Sequence, residues 1–169
     1  MNDSLTTPLN ILFLCTHNSA RSILAEALLN EMGEGRFKAY SAGSNPSENQ
    51  EPNPLALHVL KQAGVSVEGL YSKSWDEFSG PEAPKMNLII TVCDDAAGET
   101  CPIWPGHPAT AHWGYADPSN VGTTDEEKLA AFSQTMLMIR RRLELLISLP
   151  IEKLEQSNLQ ASARELPLL

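Results

Sequence analysis

Apolar positions along this chain come in two rhythms, short unbroken runs and longer stretches at helical intervals. Residues 10–15, Asn-Ile-Leu-Phe-Leu-Cys, are of the first kind. A run with no helical period is how a strand covered on both faces reads. A polar loop, Thr16 to Ser19, follows. Ala20 to Met32 reads as a helix, because Ile23, Ala27 and Leu28, and again Leu24 and Leu28, share a face and Gly33 ends it. Residues 37–42 predict a second strand, stopped by Gly43. Strand, helix, strand is the unit from which parallel sheets are built.

The same reading continues downstream. Ser44 to Pro54 is rich in Pro, Asn, Ser and Glu and predicts a loop, with Asn53 capping the next helix and Pro54 at its first position. That helix runs through Leu55, Val59 and Leu60 to Gly64. Residues 75–78 predict a short helix, and Asn87 to Val92 a further buried strand. Cys93 to Pro108 reads as loop, and Thr110 to Trp113 as a last short strand. Asp125 to Leu149 is a long amphipathic helix, with Leu129, Phe132, Met136, Ile139, Leu143 and Ile147 at helical spacing, a cap at Thr124 or Thr123, and Pro150 as its stop. The pattern predicts an α/β fold: a four-stranded parallel sheet flanked by helices on both faces, a Rossmann-like three-layer arrangement. Residues 1–150 make one domain; 151–169 are a weakly patterned tail, read as a frayed helix or mobile end. In such folds ligands sit beyond the carboxyl ends of the strands, where Cys15 and Cys93 both fall.

Composition narrows the field. A chain of 169 residues suits one domain with one core. The net charge of −9 argues against nucleic acid as a partner, since binding a phosphate backbone needs a basic surface. No apolar run approaches the roughly 20 residues of a membrane span. The first residues carry Asp3, lack a basic n-region and hold too short an apolar stretch for a signal peptide, so a cytoplasmic protein is expected. Three cysteines do not make a closed disulfide framework, and disulfides in that compartment are usually catalytic or transient.

The run Cys15-Thr16-His17-Asn18-Ser19-Ala20-Arg21-Ser22 lies between a buried strand and a helix start. A loop there turns successive backbone N–H groups inward and adds the helix N-terminal dipole, which together bind a tetrahedral oxyanion. Thr16 to Ser22 are the expected oxyanion-binding residues. Arg21 can fold back to make paired bonds to two oxygens. The same positive surroundings lower the pKa of Cys15 and favour its thiolate, to which Ser22 can donate. Asn18 tolerates left-handed backbone angles and can hold the loop through its amide. His17 serves through its backbone more than its ring. The bland alternative is a structural cysteine at a strand end with a solvated arginine on the next helix.

Cys-x5-Arg-Ser after the first strand of a small α/β protein resembles the low-molecular-weight protein tyrosine phosphatase superfamily. Within it, Cys-Thr-x-Asn-Ser-x-Arg-Ser is most similar to the thiol-dependent arsenate reductases. The resemblance covers roughly residues 9–149. It implies that Cys15 is the nucleophile, that Arg21 and the loop amides hold the oxyanion, that Ser22 supports the thiolate and that Asn18 orders the loop.

Cys93 and Cys101, in Cys93-Asp94-Asp95-Ala96-Ala97-Gly98-Glu99-Thr100-Cys101-Pro102, have neither a common zinc spacing nor that of a Cys-x-x-Cys pair. Gly98 would let the loop bring the two sulfurs within bonding reach, and from spacing alone a bonding pair and two unrelated thiols are both open. The resemblance implies a relay. After Cys15 attacks arsenate, a second thiol must attack the Cys15 sulfur so that two electrons pass to arsenic, and a third carries the disulfide outward. Cys93 and Cys101-Pro102 match the family's resolving cysteines. In the thioredoxin-coupled branch the spacing is one residue shorter, so the electron donor is expected to be thioredoxin, or glutaredoxin or a low-molecular-weight thiol.

Asp117-Pro118 matches the superfamily's Asp-Pro, whose aspartate protonates the leaving oxygen; alone, it would read as a turn starter. Ser119 follows where the phosphatases often carry a tyrosine, and Ser44 to Asn53 holds no aromatic residue. Both absences favour a small inorganic oxyanion, arsenate with phosphate or sulfate as analogues, over phosphotyrosine. Some family members bind potassium near the loop. Asn18 and Glu26 match two of its ligand positions, whereas Trp75 stands where an aspartate is expected and Asp76 one place later. No tightly bound cofactor is expected beyond an external thiol reductant. His107, His112 and Cys101 are too irregularly spaced for zinc. Trp104 and Trp113 read as packing residues, and Arg140-Arg141-Arg142 as a solvated helix face. The expectation is a monomeric arsenate reductase. The alternatives are a low-molecular-weight protein tyrosine phosphatase and a non-catalytic oxyanion sensor.

Overall fold

Strands form where the unbroken apolar runs lie. The structure, a computed structural model, describes residues 8–94, 110–149, 163, 164 and 166. It contains β1 (Leu9–Cys15), α1 (Arg21–Met32), β2 (Phe37–Gly43), α2 (Pro54–Gln62), β3 (Leu88–Thr91), β4 (Thr110–His112) and α3 (Asp125–Ile147), with 3-10 turns at Glu48–Gln50, Trp75–Phe78 and Pro118–Asn120. The expectations for Cys101, Trp104 and His107 lie outside the described residues.

The four strands run parallel in the order β2-β1-β3-β4. The chain steps from β1 outward to β2, then returns to the other side of β1 for β3. The switch in direction therefore falls between β1 and β3, where parallel sheets open a crevice beyond their carboxyl ends. Leu14 is paired with Thr91 across that boundary, and the Val92 N–H donates to the Leu14 carbonyl at 2.9 Å. Cys15 and Cys93 thus follow on neighbouring strands at the same end.

Alternation along β1 divides the core. Leu9, Ile11, Phe13 and Cys15 join the buried residues of α1, α2 and α3, while Leu12 and Leu14 join Ala42, Met86 and Ile89 under Tyr40, Trp75 and Phe78. Helix boundaries follow the local signals. The Asn53 side chain accepts from the Leu55 N–H with Pro54 at the first position, and Thr124 and Glu127 form a reciprocal capping box on α3.

One residue departs from the sequence expectation. Arg142 is not on a solvated face. It is buried, its guanidinium 5.1 Å from the Trp113 ring centre and 5.7 Å from that of Tyr115. In the tail, Ala163 is fully buried and its carbonyl accepts from Trp113 Nε1 at 3.2 Å, while Arg164 Nε donates to the Thr110 carbonyl at 2.9 Å. These tail residues dock on β4. Among the described residues, no helix is long and apolar enough to cross a membrane.

Candidate active site

The site is built at the carboxyl end of β1. Cys15 ends that strand as a buried thiol outside any disulfide, and the chain then turns through residues 16–20 into α1. Three carbonyls of this loop are turned outward. Thr16 accepts from the Asn45 N–H at 2.8 Å, His17 from the Ser47 N–H at 3.2 Å and from Ser72 Oγ at 2.8 Å, and Ser19 from the Asn53 N–H at 2.8 Å. In a planar trans peptide the N–H of the next residue points the opposite way. The amides of His17, Asn18 and Ala20 therefore face into the loop. The first turn of α1 adds to this surface: its N-cap position, Ala20, makes no side-chain cap and no acidic residue stands in the turn. By contrast α3 has both a cap and Asp125, Glu126 and Glu127. An uncapped helix start has donors to offer an anion.

Asn18 has the left-handed backbone the turn requires, with φ 50°, and is fully buried. Its Nδ2 donates to Ser22 Oγ at 2.8 Å and its Oδ1 accepts from the Lys73 N–H at 2.9 Å. Ser22 accepts there, so its own hydroxyl hydrogen is left to donate to another group. His17 contributes its carbonyl to the loop's frame, and its Nδ1 lies 2.9 Å from the Asn45 carbonyl.

Arg21 and Asp117, 96 positions apart in the sequence, meet here. Arg21 is buried, with Nη1 donating to the Tyr115 carbonyl at 2.9 Å and Nη2 3.7 Å from Asp117 Oδ2. Asp117 Oδ1 accepts from the Ser119 N–H at 3.0 Å and Ser119 Oγ at 2.7 Å, so the carboxylate both starts a turn and presents its other oxygen to Arg21. The turn-starter reading of Asp-Pro is realised, and the same carboxylate stands beside Arg21. Ser119 orients the aspartate.

Cys93, just past β3, is fully buried and disulfide-bonded. The assignment of Cys101 lies outside the described residues. His112 lies at the end of β4, its Nδ1 2.7 Å from Thr91 Oγ1. Among the described residues, no group of three or more His, Cys, Asp or Glu side chains could hold a metal ion.

Three features were not legible in the sequence. At Gly43 a Cβ would come within 2.5 Å of the Thr16 carbonyl oxygen and 3.0 Å of the Asn18 nitrogen, so the end of β2 can approach the loop only without a side chain. The signal was present as a glycine closing a strand beside a polar loop. Ser72 bridges the His17 carbonyl and the Ser47 N–H, which it meets at 3.0 Å. Beside it, Lys73 is buried against Ser41 and the half-buried Glu26. Its Nζ lies 3.7 Å from Glu26 Oε1, donates to the Ser41 carbonyl at 3.1 Å and sits 4.3 Å from the centre of the Tyr71 ring. Ser41 Oγ donates to Glu26 Oε1 at 2.5 Å. Burial pushes the Glu26 carboxyl up and the Lys73 ammonium down, each partly offset by the other's charge. The Tyr71 hydroxyl, donating to Glu77, is pushed up to about 12 by that bond and by its desolvation. Trp75 packs against the smaller core cluster, and Asp76 is exposed.

Comparison with known proteins follows the same outline. The family model for low molecular weight phosphotyrosine protein phosphatase matches residues 10–160. An arsenate reductase of Bacillus subtilis (strain 168) is 36% identical over 134 residues, 79% of this chain and 91% of the relative. The crystal structure of an arsenate reductase from Archaeoglobus fulgidus superposes with a TM-score of 0.66 at 27% identity, covering 82% of this chain and 99% of that one. A tyrosine phosphatase from Erwinia amylovora shares the fold, with a TM-score of 0.62 at 19% identity over 85% of this chain and 93% of its own.

Proposed function

The chain belongs to the low molecular weight phosphotyrosine protein phosphatase family, and from that premise we propose that it works as an arsenate reductase through a Cys15 adduct and a three-cysteine relay. Arsenate enters the loop and is held by the inward amides and Arg21. The Cys15 thiolate forms a bond to arsenic while an arsenate oxygen, protonated by Asp117, leaves as water. Arsenic is still pentavalent in this adduct. The Cys93 thiolate then attacks Cys15 Sγ. The sulfur–arsenic bond breaks, its electron pair passes to arsenic, and arsenite leaves. Cys101 attacks Cys93 in turn, freeing the Cys15 thiolate and leaving a Cys93–Cys101 disulfide for an external dithiol to reduce.

The observation that carries this reading is the placement of two cysteines. They follow neighbouring strands at the switch point, Cys15 as a thiol and Cys93 in a disulfide. Phosphate ester hydrolysis has no use for the second. The reading also assigns the protein to a reducing, cytoplasmic setting as a single copy, with thioredoxin, glutaredoxin or a small thiol as donor. Turnover with each donor system supplied in parallel identifies which one it uses.

The test is Cys93→Ser. Arsenate turnover is expected to be lost while hydrolysis of p-nitrophenyl phosphate, which needs only Cys15, Arg21 and Asp117, persists. Arsenate turnover at the wild-type rate in this variant would refute the relay.

A further inference from the structure

The oxyanion loop does not stand on its own hydrogen bonds alone. Four segments close a ring around Asn18. Its Oδ1 accepts from the Lys73 backbone, and the Lys73 ammonium reaches Glu26 on α1 and the Ser41 carbonyl on β2. Glu26 lies one helical turn after Ser22, and Ser22 Oγ takes the other end of the Asn18 amide. Asn18, Ser22, Ser41 and Lys73 are all buried, so these bonds are shielded from solvent. Two of the links are hydrogen bonds of the Asn18 amide, and α1 itself joins Ser22 to Glu26. The remaining link is the ammonium, a single positive charge between a half-buried carboxylate and a carbonyl oxygen, capped by the Tyr71 ring.

We propose that Lys73 is a positioning residue of the active site, a built-in cation whose ammonium clamps residues 72–74 onto α1 and β2 and so fixes Asn18 and the oxyanion loop. This rests on the oxyanion-binding role of the loop given above. Of the two matched ligands, Glu26 therefore faces a side-chain ammonium, and Asn18 is taken by the Lys73 backbone N–H. A potassium ion would compete with Lys73 for the same two oxygens, Glu26 Oε1 and the Ser41 carbonyl, and the two cations cannot share them. The wild-type protein is accordingly independent of potassium.

The acidic partner makes the clamp sensitive to substitution. Removing the ammonium alone leaves the half-buried Glu26 without its counter-charge. Residues 72–74 then lose their tie to α1 and β2, and the loop loses the fixed support that holds it ready for an oxyanion.

The experiment compares wild type, Lys73→Ala, and the double variant Glu26→Gln/Lys73→Met, which buries no lone charge. Phosphate binding is measured by calorimetry in potassium, sodium, choline and methylammonium chlorides at equal ionic strength. Cys15 alkylation is followed against pH. Wild type should bind phosphate equally in all four salts. Lys73→Ala should bind at least tenfold more weakly in choline, its Cys15 alkylation midpoint raised by about one pH unit, and potassium or methylammonium should restore both by filling the space vacated beside Glu26 and Ser41. The double variant should fold and bind weakly in every salt. Wild-type affinity in Lys73→Ala, in choline, would overturn the proposal, as would wild-type affinity in the double variant should Lys73→Ala fail to fold. A potassium-specific gain in wild type would also overturn it. Failure of wild type to bind phosphate at all would instead remove the loop reading and the proposal together.

Discussion

At the scale of single residues, the site depends on close approach as much as on charge. Gly43 has no exceptional backbone angle; what it supplies is space for the Thr16 carbonyl and the Asn18 nitrogen. Gly43→Ala forces one of two backbones to move, because both of the nearest atoms belong to the main chain. The expected cost is about 1–3 kcal/mol of stability, with phosphate affinity reduced at least tenfold; thermal melts and calorimetry read the two effects separately. Unchanged affinity would mean that the loop does not need this contact. Asp117 calls for the opposite kind of test. Asp117→Asn keeps an acceptor for the Ser119 N–H and hydroxyl, so the turn survives, but it cannot act as an acid. Arsenate kcat should fall by roughly 10²–10⁴ with the melting temperature close to wild type. A kcat within twofold would show that Arg21, not a proton donor, is what the aspartate serves.

At the scale of elements, signals confined to one segment were legible and signals between segments were not. Asn53-Pro54 and Thr124-x-x-Glu127 each announce a helix start within a few residues, and both caps form. The Cys15-to-Ser22 loop was equally readable because strand, turn and helix are contiguous. Arg142 was misread although its position gave it away. It stands three residues after Ile139 and four before Leu146, on the buried stripe of α3, and its charge outweighed that spacing in the reading. Lys73 could not be found, since its partners lie 55 and 32 positions away at Asn18 and Ser41. The capping box carries its own pH dependence. Glu127 accepts from Thr123 and Thr124, which hold its carboxyl at about 2. A depressed folded-state pKa gives stability that is complete above the unfolded value near 4.5 and is lost as pH falls toward about 2. The melting temperature of wild type should therefore decline over that window relative to Glu127→Gln, with the two curves parallel above pH 6. Parallel curves throughout would show that the cap does not discriminate the two protonation states.

At the scale of the whole molecule, strand order decides the chemistry. The sequence places Cys15 and Cys93 at strand ends, but only the order β2-β1-β3-β4 makes those ends neighbours. Pairing of that kind is a property of the sheet, invisible in either strand. Ala163 and Arg164 are tied into the same structure. Arg21 leans on the Tyr115 carbonyl; the Tyr115 ring meets Arg142, which also covers Trp113; and Trp113 donates to Ala163. The weak patterning of the tail conceals this, because a fully buried alanine and one backbone carbonyl leave no periodic trace. Ala163→Glu distinguishes a docked tail from a loose one. A loose tail would accept the carboxylate in solvent with no effect. A docked one must either bury it beside Trp113 or detach, at a cost of roughly 2–4 kcal/mol, or roughly 5–15 °C in melting temperature for a chain of this size. Because the same contacts lead through Tyr115 to Arg21, phosphate affinity should weaken with stability, whereas Arg164→Ala, which removes the bond to Thr110 and leaves Trp113 and Ala163 in place, should lower stability slightly and leave affinity unchanged.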